Sequence, residues 1–105
     1  MVELDRNKLV FSFPEIHPNA ICEIEFQRAL RIPDDNQSYP LPPGLGRFQL
    51  EHVEDYASKL PSQWQKHGGV LLPMFQSEAL WINFSSRHIP RYEPYPFAVK
   101  IATGK

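Results

Sequence analysis

Residues 20–32 read "AICEIEFQRALRI", and their alternation decides the fold. Cys22, Ile24 and Phe26 fall on one side, and Glu23, Glu25 and Gln27 on the other. A period of two is what a strand with one buried face requires. Cys22 on the apolar side reads as a small core hydrophobe rather than a nucleophile. Pro33 ends the run, because proline has no N–H to give to a ladder.

On the N-terminal side, "KLVFSF" (8–13) adds a second strand. On the other side, residues 33–46 form a connector rich in Pro, Asp, Asn, Ser and Gly. From Glu51 the spacing changes: Val53, Tyr56, Ala57 and Leu60 recur at three and four, which predicts a helical segment over 51–67. Pro61 interrupts it and suits a first helical turn, while Gly68 and Gly69 end it. "VLLPM" and "EALWINFS" predict an antiparallel hairpin across "FQS", with Pro73 at an edge or bulge. "FAVKIAT" predicts a last strand with Phe97, Val99 and Ile101 on one side. The expected fold is a single α+β domain over 1–105. A mainly antiparallel sheet of four to five strands would carry one helical segment packed on a face.

Composition narrows the function. Eleven Lys and Arg against twelve Asp and Glu leave no excess charge for nucleic acid or an anionic membrane. Eleven prolines punctuate a chain that also carries seven Phe, four Tyr and two Trp, too aromatic for disorder. Cys22 is the only cysteine, so an internal disulfide is impossible and a cytoplasmic location is the expectation. The apolar run Leu9 to Phe13 is too short for a signal core, and no stretch has membrane-spanning length.

The connector "QSYPLPPGLGRF" (37–48) resembles a binding loop at first sight. A dinucleotide loop would need glycine where Gln49 stands after Gly44 and Gly46. The terminal "ATGK" lacks glycine at Val99 and a hydroxyl residue after Lys105. Asp34, Asn36 and Ser38 begin like a calcium loop, but Tyr39 and Leu45 stand where glycine and glutamate belong. Pro40 and Pro43 have the spacing of a polyproline ligand. A stiff connector accounts for them more simply, with Pro40, Pro42 and Pro43 restricting the backbone and Phe48 and Leu50 anchoring it.

Three other groups are candidate sites. In "FPEIHPN", Glu15 and His17 stand two apart between prolines, a carboxylate and an imidazole suited to acid–base work. In "SSRHIPRYEPYPF", Arg87 and Arg91 interleave with Tyr92 and Tyr95, a mixture that suits stacked bases or a protein hot spot. Trp81 lies on the strand face opposite Leu80, Ile82 and Phe84. Covered by a second layer it joins the core; left open it marks a binding surface. His17, His52, His67 and His88 show no short metal-ligand spacing, so neither a metal nor a cofactor is expected.

The blocks "FPEIHPNAICEIEFQRALRIPDD", "YPLPPGLGRF" and "GGVLLPMFQSEALWINF" together resemble the N-terminal part of an uncharacterised bacterial protein family of unknown function. The resemblance implies a continuation beyond the last strand, and no activity or site residue. The expected function is a non-enzymatic binding or structural domain of a longer soluble bacterial protein. Its partner would be the remainder of that chain or another protein. One alternative is part of an enzyme, with a cleft wall made by the 14–18 loop and the 33–46 connector. A second is a single-stranded nucleic-acid module on Arg87, Arg91, Tyr92 and Tyr95, against which the balanced charge argues.

Overall fold

The computed structural model describes residues 1–104; Lys105, which closes the "ATGK" stretch, lies outside the described residues. The chain is α+β, built on a four-stranded antiparallel sheet in the order β1-β2-β3-β6. Strand β1 is Val2–Asp5, β2 Lys8–Ser12, β3 Ile21–Leu30 and β6 Glu78–Ser86. β1 is absent from the sequence reading. It exists because Arg6 (φ 51°) and Asn7 (φ 63°) both take the left-handed conformation that a two-residue hairpin turn needs.

Alternation along β3 holds as expected. Cys22 is buried, and its side carries Ile24, Phe26 and, across the ladder, Leu9, Phe11, Ile82 and Phe84. Burial, with the Glu23 carboxylate beside it, pushes the Cys22 thiol up. β3 is longer than β2, and its second half takes a different neighbour on the same edge. Leu45 N–H donates to Arg28 O at 2.8 Å, Arg28 N–H to Gly46 O at 2.8 Å and Phe48 N–H to Phe26 O at 2.8 Å. The end of the connector thus serves as a short strand, delivering Phe48, Leu50 and Val53 to the core. Gly46 has φ 114°, which permits that approach, whereas Gly44 is free of positive φ and instead sits against Gln27 Oε1.

Two expected elements differ. The helical segment over 51–67 divides into β4 (Glu51–His52), a 3-10 segment (Val53–Lys59) kinked at Tyr56, and α1 (Ser62–His67). Val53 is its buried foot, and the α1 residues are exposed. The hairpin between "VLLPM" and "EALWINFS" does not form. Val70–Leu71 (β5) pairs with β4, while all of β6 pairs with β3. Pro73 cannot donate, so the first run stops short, and nine residues of β6 gain a full ladder on the open edge of β3. The expected strand at 97–103 is not a strand either. Its Phe97 packs against Phe13 and Tyr95, and side-chain burial replaces backbone pairing.

The layer over the apolar face is incomplete. The β4–β5 ribbon lies beside Leu4 and Leu9, and residues 97–100 lie over Phe11, Phe13, Cys22 and Ile24 around a cleft of about 300 Å³. Toward the outer strand, Leu30 stays 62% exposed, Leu80 37% and Phe84 42%.

Candidate functional site

Three places on this scaffold gather chemistry: a cleft at the start of β3, a charged ladder on one sheet face, and the open apolar area on the other. The cleft is lined by His17, Asn19, Ile89, Tyr92, Glu93 and Tyr95. Residues 14–19 make the turn between β2 and β3, with Ile16 and His17 N–H both donating to Phe13 O. That turn aims His17 at Tyr95, and the two rings stack at 5.6 Å between centroids and 29° between planes. Tyr95 meets Phe97, and Phe97 meets Phe13, so aromatic contacts run from the cleft to the apolar face.

Within the cleft, Asn19 N–H donates to His17 Nδ1 at 3.0 Å. Nδ1 is therefore an acceptor, which leaves Nε2 as the donor of the neutral ring. His17 is oriented by this backbone contact and by Tyr95; Glu15 is an exposed residue of the same turn. Such a site can hold a flat group against the stacked ring pair, with one imidazole donor and the Glu93 carboxylate as acceptor.

The sequence candidates are only partly brought together. His17, Tyr92 and Tyr95 share the cleft, and Tyr92 is 75% exposed. Arg91 (φ 69°) stands in the turn closed by Tyr92 N–H donating to Ile89 O at 3.1 Å. Arg87 points elsewhere, to Glu23 at 3.2 Å. Trp81 is half-buried on the charged face, opposite Gln27. The 14–18 loop and the connector sit at opposite ends of β3, since residues 45–48 join the strand beyond the reach of β2.

Asn19 and Glu93 in the cleft are new, and so is the order of the charged ladder. Lys8 Nζ and Arg87 both reach Glu23, at 3.3 and 3.2 Å, while Arg47 Nε reaches Glu25 at 2.7 Å. Asn83 Nδ2 and Gln27 Nε2 also donate to Glu25 Oε1, at 3.1 and 3.2 Å. Burial pushes the Glu23 carboxyl up, but the hydrogen bonds and charges of Arg87 and Lys8 outweigh it and hold it below its usual range. Glu25 is held low by Asn83 first, against burial, with Gln27 and Arg47 adding to the effect. The alternation of Glu23 and Glu25 was the one signal of this face in the sequence. Its partners come from four separate segments. Among the described residues no group of three His, Cys, Asp or Glu converges as a metal site, and no helix is long and apolar enough to cross a membrane.

Set against known proteins, the chain matches no family, no curated protein and no solved structure.

Proposed function

We propose that the chain is a non-enzymatic binding or structural domain that presents the open part of its apolar sheet face to another polypeptide. One observation carries this reading. The accessible surface is 8654 Å², where a folded chain of this mass exposes about 6,100 Å². The radius of gyration is 16.6 Å, against about 13 Å for a closed domain of this length. The excess surface includes Leu80 and Phe84, on either side of Ile82 along β6, and Leu30 at the end of β3, beside the Arg28–Glu78 pair. Large apolar side chains left open along a strand in this way suit an interaction site.

An apolar fluorescent dye tests the reading on dilute protein. The folded chain should brighten it, and a Leu30→Lys, Phe84→Lys double variant with unchanged far-UV circular dichroism should lose most of the signal. A folded chain that leaves the dye dark removes the proposal.

A further inference from the structure

The face reading leaves the occupant open, and the outer edge of β6 selects one. Arg87 N–H donates to Ile21 O at 3.0 Å and Arg31 N–H to Ser77 O at 3.2 Å. These two bonds fix the phase of the β3–β6 ladder. Odd-numbered residues from 77 to 87 turn their main-chain groups toward β3, so Leu80, Ile82, Phe84 and Ser86 turn theirs outward. Among the described residues, no hydrogen bond meets those outward groups. Glu78 N–H alone is taken, by Phe75 O at 3.0 Å.

The opposite edge of the sheet is blunted. β1 has four residues, two of them the charged Glu3 and Asp5. β6 has nine, with no proline and a single charge, Glu78, at its first position. A long apolar edge without charge or proline is a template for another strand.

We propose that β6 pairs antiparallel with β6 of a second copy of this chain, about a two-fold axis through Ile82; this rests on the apolar face being a docking surface. Ile82 is the midpoint of Glu78–Ser86, and its main-chain groups point outward. With the axis there, Ile82 opposes Ile82 of the partner, Leu80 opposes Phe84 on the apolar face, and Trp81 opposes Asn83 on the charged face. Apart from the Glu78 N–H, each outward N–H then meets an outward C=O. Glu78 comes opposite Ser86, so no like charges face each other across the axis. The result is one eight-stranded sheet whose two apolar areas join.

Side-chain exposure agrees with this occupant. Leu80 and Phe84, 37% and 42% exposed, are the two apolar residues that the register sets against each other on both sides of the axis. A two-fold interface is also self-complementary by construction, as this strand is about its midpoint.

Sedimentation equilibrium and a cross-link test it together. The wild type should sediment as a dimer that dissociates on dilution. Leu80→Lys, at an exposed position, should weaken self-association by about tenfold or more while the chain stays folded. In the proposed register the two Ile82 Cα atoms lie about 5.5 Å apart, within the span of a short bifunctional thiol cross-linker. Ile82→Cys should therefore cross-link to a covalent dimer, and Glu3→Cys, on the other edge, should not. A wild type that is monomeric at every soluble concentration overturns the pairing, even if the dye result above leaves the face reading standing. A dimer that Ile82→Cys fails to lock, or that Leu80→Lys leaves intact, overturns it as well.

Discussion

On one face of the sheet, Glu23 and Glu25 each hold several partners in a ladder of charged and polar contacts open to water. On the other, Cys22, Phe48, Leu50 and Val53 are buried, and Arg28 is the main charge. Its guanidinium pairs with Glu78 and lies over Phe48 and Phe75, 5.5 and 5.9 Å from the ring centroids. The contrast teaches how the two faces divide the work. Exposed ion pairs contribute little each, because water screens them and ordering long side chains costs entropy. They satisfy the carboxylates of that face and leave it polar. Apolar burial carries the stability, and where it stops short, at Leu30, Leu80 and Phe84, it leaves an area suited to a partner.

Four changes test this division, beginning with the largest effect. Phe48→Ala should destabilise by about 3–5 kcal/mol, because a fully buried ring leaves a cavity next to Phe26 and Arg28. Urea unfolding should show it as a lower midpoint at similar slope. An equal loss on removing a charged-face residue such as Glu23 would erase the contrast.

Cys22→Ser should cost on the order of 1–3 kcal/mol, since the hydroxyl would sit in an apolar site without a partner. The native thiol should also react slowly with a thiol reagent. Fast labelling would mean that the 97–100 segment does not cover it.

Gly46→Val should cost about 1–3 kcal/mol, because φ 114° strains a β-branched residue where the connector joins β3. Gly44→Ala should cost less. Its new Cβ would meet the Gln27 side chain, Oε1 nearest at 3.0 Å, and that side chain can move. Thermal melts of the pair check the order. The reverse order would place the critical turn at Gly44.

The smallest effect belongs to pH. Glu23 and Glu25 are held below the usual carboxylate range, so the stability they add is full above the unfolded value of about 4.3 and is lost as pH falls through their lower folded values. Acid melts should show a shallow loss, about 1 kcal/mol or less per group after solvent screening. Glu23→Gln should remove part of that slope.

Several features were legible in the residues themselves. The alternation Cys22–Ile24–Phe26 against Glu23–Glu25–Gln27 placed β3 and the buried thiol, because strand geometry forces neighbouring side chains to opposite faces. Phe48 and Leu50 as anchors after a proline-stiffened connector followed from local chemistry in the same way. The candidate site was legible only in pieces. His17 and Tyr95 stood out separately, and no local pattern signals that a turn before β3 and a segment after β6 will stack.

Strand pairing was decided by the tertiary structure. "VLLPM" and "EALWINFS" are adjacent in sequence and suited to a hairpin, yet β6 crosses to β3 and β5 goes to β4. An open edge ten residues long offers more hydrogen bonds and more buried area than a neighbour cut short by Pro73. The segment 97–103 has strand-like alternation but finds aromatic rings rather than a free edge. Periodicity tells a segment which side must be buried; only the assembled sheet determines which edge is vacant, and therefore that the outer edge of β6 remains open.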